Sequence, residues 1–179
     1  MTVFLHVGTH KTGSKSLQAL LGDHAEALRR LGFDLYAGSH RNPRNHTELH
    51  LASLRRERDS LAKHNWPDLV IDDEYIARVA GEVQQFLRAS TASHQIFTNE
   101  DLSFLRYPDE FERLAQLLGD PADVRTVLVQ RGRDAFLESY RAQILKKPGR
   151  VPLSDPESAL YVEPDTWLCD LTPLVAGLS

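Results

Sequence analysis

The chain's 179 residues are 41% hydrophobic and 26% charged, proportions that suit one soluble globular domain, 1–179, with a single buried core. A net charge of −4 provides no general surface for nucleic acid or a membrane, so any basic site has to be local. One cysteine, Cys169, excludes an internal disulfide, no apolar run approaches the roughly 20 residues of a membrane helix, and no signal-peptide pattern opens the chain, so cytoplasmic residence is the expectation.

Val3, Phe4, Leu5 and Val7 read as a strand that breaks at Gly8. A Gly/Thr/Ser/Lys loop follows, and from near Ser14 the spacing of Leu17, Leu20, Leu21, Leu28 and Leu31 predicts a helix running to Gly32. Phe33 to Tyr36 is a short strand; Gly38 to His46, with its Asn42-Pro43 pair, is a loop. Leu51, Leu54 and Leu61 predict a charged amphipathic helix, and Ile76, Val79, Ala80, Val83 and Leu87 predict another, capped by Asp72. His94 to Thr98 and Val124 to Gln130 are strands, separated by a helix carrying Phe111, Leu114, Ala115 and Leu118. A last long helix follows Arg131, with Phe136, Tyr140 and Ile144 on one face. Five of the nine prolines fall between Pro148 and Ser179, where only Leu168 to Leu178 suggests a short helix. Strands alternating with helices predict an α/β fold with a parallel sheet, whose ligands collect beyond the C-terminal ends of the strands.

The loop after the first strand sits at such an end. Gly8 and Gly13 permit positive φ and close backbone approach, and the first turn of the next helix offers unpaired N–H groups and a positive dipole end. Lys11 adds a mobile charge and Thr12, Ser14 and Ser16 add hydroxyls, so a phosphate or sulfate is the natural guest. The plain alternative is a strand-to-helix turn with Ser14 as its cap. A dinucleotide fingerprint fits poorly because no glycine lies between Gly8 and Gly13. An ATP-type loop, G-x-x-x-x-G-K-[ST], misses by one residue: Ser14 holds the lysine position and Lys15 the metal-ligand position. Asp72 and Asp73, in LVIDDE, read as helix-start residues rather than magnesium ligands.

HVGTHKTGSKSLQ resembles the 5′-phosphosulfate loop of sulfotransferases that use 3′-phosphoadenosine 5′-phosphosulfate (PAPS), whose bacterial members read close to H-I-G-x-x-K-T-G-T-T-S-L-Q. A second stretch, VLVQRGRDAFLESYRAQ, residues 127 to 143, resembles the family's 3′-phosphate segment, a strand ending in arginine and a helix with a serine eight residues on. Arg131 and Ser139 take those places, with Arg133 or Arg141 as assistants. An arginine at a strand end and a serine two turns into the next helix can converge on one phosphate. Each residue alone has an ordinary reading, Arg131 in a surface ion pair and Ser139 bonded to its own helix.

The resemblance implies a three-layer α/β/α, P-loop-like fold and a nucleotide site formed by Gly8, His10, Lys11, Thr12, Gly13, Ser14, Lys15, Ser16, Arg131 and Ser139. It implies PAPS as donor substrate, a hydroxyl or amine acceptor and no required metal. Lys11 and the helix-start N–H groups then stabilise the leaving phosphate. Glu100, in a segment IFTNEDLSFL that resembles the bacterial version, is the leading general base; its alternative is a helix-start carboxylate beside an Asn99 cap. His46 and His50, one turn apart, are the second candidates, lining an acceptor pocket or standing at a solvated helix start, with His50 next in line as the base. His6 packs at the strand end and His10 faces the ligand. Lys15 stands where the family carries Thr, and Arg131-Gly132-Arg133 lacks a proline found in many relatives. Family members extend past Ser179, so the resemblance implies a compact member, a truncated chain or an inactive remnant. Tyr161 and Trp167 either stack on a base or pack in the core. Two further readings stay open, a small-molecule or nucleotide kinase on the same fold and a non-catalytic nucleotide-binding domain.

Overall fold

The structure, a computed structural model, describes residues 1–39, 43–119, 123–147 and 149–178. Alternation of β-branched, aromatic and leucine side chains sets strand β1 at Thr2–Gly8, with β2 at Phe33–Leu35, β3 at His94–Thr98 and β4 at Asp123–Val129. Together they form one all-parallel sheet in the order β2-β3-β1-β4. β1 is central, paired from Thr2↔His94 to His6↔Thr98 on one side and from Thr2↔Asp123 to Gly8↔Val129 on the other. The ends of β1, β3 and β4 therefore open onto one crevice.

Val3, Leu5 and Val7 share a face of β1 and pack on Val79, Val83 and Leu87 of helix α5 (Asp73–Ala89) and on Leu114, Leu117 and Leu118 of α6 (Pro108–Leu118). Phe4 points to the opposite face, where its ring lies 5.9 Å from Phe33 and 5.7 Å from His94. Asp72 caps α5, accepting from the Tyr75 N–H at 2.8 Å, and Asp73 pairs with Arg56. A second core gathers Phe136, Tyr140 and Ile144 of α7 (Arg133–Leu145) with Phe104, Leu160, Val162 and Leu168. Each of these buried side chains contributes about 1.5–3 kcal/mol on burial, and the Tyr140 hydroxyl is satisfied by the Ala159 carbonyl at 3.0 Å.

Three expected elements differ. The helix from Ser14 to Gly32 divides at His24 into α1 (Ser14–Asp23) and α2 (Ala25–Arg30), and Gly32, at φ 84°, ends the segment as its left-handed stop. The helix expected through Leu51, Leu54 and Leu61 is two shorter ones, α3 (Thr47–Ser53), buried throughout, and α4 (Leu61–Asn65). Tertiary bonds pull the intervening residues out of helix. The Arg55 N–H donates to Glu110 Oε1 at 3.0 Å, Arg58 pairs with the fully buried Glu110 carboxylate at 2.7 Å, and Lys63 Nζ gathers the carbonyls of Arg55, Arg56 and Arg58. The tail is pinned by Asp59, which accepts from Ser158 Oγ at 2.6 Å and the Ala159 N–H at 2.8 Å. It then forms a 3-10 turn at Trp167–Cys169 and α8 at Thr172–Gly177. Trp167 packs against Phe104 and between Arg58 and Arg106, and the Tyr161 hydroxyl donates to Asp165, so both tail aromatics are committed to packing or local bonds. Asn42 of the expected turn, with Pro148 and Ser179, lies outside the described residues. Among the described residues no helix is long and apolar enough to cross a membrane.

Candidate functional site

The loop between β1 and α1 is held from below by its own hydroxyls. The Thr9 N–H donates to the Val129 carbonyl at 2.9 Å, tying the loop to the end of β4, and Thr12 Oγ1 donates to the Thr9 carbonyl at 2.8 Å. Ser14, nearly fully buried, places its hydroxyl 3.3 Å from that of Thr12. Glycine at position 8 makes room for these hydroxyls, since a Cβ would stand 2.9 Å from Ser14 Oγ and 3.0 Å from Thr12 Oγ1 and would displace them. Gly13, at φ 89°, opens α1 with no side-chain cap, and its carbonyl accepts from the Ser16 and Leu17 N–H groups. No acidic residue occupies the first turn of α1. The helix therefore presents free donors and an uncompensated positive dipole end to the crevice. Lys11, between the two glycines, adopts φ 69°, a left-handed conformation that costs a non-glycine residue about 1–2 kcal/mol. It is the one non-glycine residue at positive φ among the described residues, and strain of this kind concentrates at ligand clamps.

Arg131 follows β4. Its Nη1 donates to the Lys11 carbonyl at 3.1 Å and to Ser139 Oγ at 3.3 Å, bringing the Lys11 loop and the Ser139 helix to one place. Arg141, a suggested assistant, is turned away to the Val162 carbonyl and Glu163. Most arginines of the chain are neutralised by carboxylates, Arg55, Arg58, Arg78 and Arg113 among them, whereas Lys11, Lys15, Arg131 and Arg133 form no ion pair with a carboxylate among the described residues. Of these, Arg131 is tied to the Lys11 loop and, with Arg133, lines a cavity beside it. That cavity, of about 420 Å³, is also lined by Thr9, Gln130, Phe136 and Leu168, and its volume is within the range of small-molecule sites. Its apolar wall comes partly from the tail, through Leu168, Cys169 and Leu171. The sequence offered the tail as a wall through Tyr161 and Trp167; the residues that form it are their neighbours, which no local pattern announces.

Glu100 and Asp101 lie just past the end of β3. Asn99 caps a 3-10 helix, Glu100–Phe104, by accepting from the Leu102 N–H at 2.9 Å, so Glu100 and Asp101 stand in a first helical turn as the plainer reading expected. Glu100 nevertheless keeps 14% of its side chain exposed and points toward His10, with Oε1 3.8 Å from Nδ1. His10 is not turned to an open ligand face. Only 2% exposed, it lies between the rings of Phe104 and Tyr140, 4.8 and 5.3 Å away, with Nε2 3.3 Å from Asp101 Oδ1. Burial pulls its pKa down, but the close Asp101 contact and the charges of Asp101 and Glu100 outweigh that, and the net displacement is upward.

His46 and His50 are core residues rather than a solvated helix start or an acceptor wall. His46 exchanges two bonds with Thr98: its N–H donates to the Thr98 carbonyl, and its Nδ1 accepts from the Thr98 N–H, both at 3.0 Å. Burial lowers its pKa to about 3. His50 is 0% exposed and packs near Phe104, where burial lowers its pKa to about 4, so it cannot reach an acceptor in the crevice. His6, as expected, packs at the end of β1, bonded through Nδ1 to Thr98 Oγ1 at 2.8 Å. One network escaped the sequence reading. Asn45 Oδ1 accepts from Asn99 Nδ2 at 2.7 Å and from Gln18 Nε2 at 3.3 Å, joining α1, the end of β3 and the segment before α3. These residues are far apart in the chain, and nothing local marks them as partners.

Comparison of the chain with protein-family models, with curated proteins and with solved structures gave no match in any of the three. Among the described residues no group of three or more His, Cys, Asp or Glu side chains is placed to hold a metal ion.

Proposed function

We propose that this chain is a sulfotransferase with a three-layer, P-loop-like fold, which takes a sulfuryl group from PAPS and passes it to a hydroxyl or amine acceptor. The carrying observation is the convergence at Arg131. One guanidinium bonds both to the backbone of the Lys11 loop and to Ser139, the two segments whose resemblance to the family arises independently. A nucleotide with phosphates at both its 3′ and 5′ positions matches two cationic points on one crevice. In this reading Arg131 and Ser139 hold the 3′-phosphate, while Lys11 and the N–H groups opening α1 hold the 5′-phosphate and take up charge as it leaves. Glu100 removes the acceptor proton as its oxygen or nitrogen bonds to sulfur and the sulfur–oxygen bond to phosphate breaks. The cavity between Arg133 and Leu168 is of a size to take the nucleoside.

The test is titration calorimetry with adenosine 3′,5′-bisphosphate, then with ADP, and with ATP plus magnesium. Preference for the bisphosphate supports the reading. Magnesium-dependent ATP binding with no such preference replaces it with a kinase, and bisphosphate binding without consumption of labelled PAPS indicates a non-catalytic nucleotide-binding domain.

A further inference from the structure

The imidazole of His10 is enclosed by charge on several sides. Asp101 lies at Nε2 and Glu100 faces Nδ1 from the same 3-10 helix; Lys11 is its neighbour in the loop, His50 faces it from α3, and Tyr140 packs on it from α7. Neither ring nitrogen has an aligned hydrogen bond, although both are buried, so the ring sits in contact with two carboxylates without being saturated by either. Both ring nitrogens of His50 are buried without a partner as well, but of the two rings only that of His10 has carboxylates within 4 Å among the described residues. We infer that His10 is a positioning residue for Glu100: seated against Asp101 at Nε2, its imidazolium faces the Glu100 carboxylate at ion-pair distance, Nδ1 to Oε1 3.8 Å, and holds it in place by charge. The inference rests on the sulfotransferase reading for its consequence in turnover, but not for the coupling itself.

The arrangement has a definite sign. While His10 is charged, both ring nitrogens are donors and Glu100 is held; when it loses its proton the remaining N–H stays with Asp101, and a lone pair faces Glu100. Since the His10 pKa is raised, Glu100 is positioned below that value and released as pH rises through it. The Asp101 carboxyl is held below the usual range: burial alone pushes it up, but its close contact with His10 and the His10 charge bring it down, which fits a persistent Asp101–His10 pair.

Carboxyl-carbon NMR of glutamate-labelled protein, followed against pH, reads the coupling directly. The Glu100 resonance, assigned with Glu100→Gln, shows a second step on the alkaline side in the wild type; that step is absent in His10→Gln, whose amide does not titrate. In Asp101→Asn, which preserves shape but removes the counter-charge, the step moves to lower pH. A Glu100 resonance with no alkaline step in the wild type overturns the inference, as does an unmoved step in Asp101→Asn even where His10→Gln fails to fold. In parallel, His10→Gln binds adenosine 3′,5′-bisphosphate within about twofold of wild type and consumes PAPS on the order of 10- to 100-fold more slowly, as misaligned catalytic groups do. Unchanged consumption in a folded variant also counts against it. Loss of bisphosphate binding by the wild type sinks the sulfotransferase reading instead, and leaves the NMR result to stand or fall alone.

Discussion

Arg131 and Ser139 lie at the end of β4 and within α7, and the arginine's Nη1 donates to the serine's Oγ across 3.3 Å. The same nitrogen reaches the Lys11 carbonyl, so the guanidinium links the loop after β1 to α7. A ligand phosphate taken up there would exchange a neutral hydroxyl partner for a charged one.

Replacing Arg131 by Ala is expected to weaken adenosine 3′,5′-bisphosphate by about 1.5–3 kcal/mol, the range for a hydrogen bond to a charged group. AMP, which lacks the 3′-phosphate, should lose little. Calorimetric titration of both nucleotides is the check, and equal losses would remove Arg131 from the 3′-phosphate site.

Lys11→Gly separates function from stability. Glycine accepts φ 69° without the steric penalty paid by lysine, so thermal stability should hold or rise by up to about 1 kcal/mol. Turnover of PAPS should fall by on the order of a hundredfold, since a charge aimed at the leaving group is gone. A variant that loses stability in step with activity assigns Lys11 to the scaffold.

Glu100→Gln should retain bisphosphate affinity while PAPS turnover drops by on the order of 10²–10⁴-fold, the usual contribution of a positioned general base. Binding and single-turnover measurements on one preparation distinguish the two effects. Because His50 is sealed in the core, an unaffected turnover would send the search for a base elsewhere than His50.

Stability should depend on pH through three buried groups. His46 and His50 have folded pKa values of about 3 and about 4, lowered by burial, so the unfolded chain binds their protons first and stability falls as pH drops below the ordinary 6.5. Glu48, fully buried, has a pKa raised to about 7 by burial and acts oppositely, losing stability as pH rises from the ordinary 4.5 to 7. Two histidines outweigh one glutamate, and the melting temperature should decline from pH 6.5 toward 4.5. Glu48→Gln should raise the melting temperature at pH 8, by an amount equivalent to up to about 3 kcal/mol, and leave it nearly unchanged at pH 4.5. Differential scanning calorimetry at the two pH values decides; an equal effect at both would mean that Glu48 does not titrate on unfolding.

Much of the scaffold was legible because its signals are local. Strand β3 and the Asp72 cap of α5 follow from alternation and capping chemistry, which act over neighbouring residues. The stretch Leu54 to Ser60 was not legible as coil, because what unwinds it is Glu110, more than 50 residues away in the chain, collecting Arg55 and Arg58. His10 and His50 show the same limit at the site. Nothing in their neighbours along the chain says that one is clamped beneath the loop by Asp101 and the other sealed beside Phe104.

The sequence by itself determined the α/β alternation, the glycines that let the first loop turn, and the eight-residue interval from Arg131 to Ser139, all properties of short segments with restricted backbone geometry. Only the tertiary structure decided that Arg131 reaches Lys11, that His10 faces inward between two carboxylates, and that the tail walls the cavity beside the loop. Those outcomes depend on which distant side chains share a buried volume, and packing and desolvation settle that over the whole chain at once.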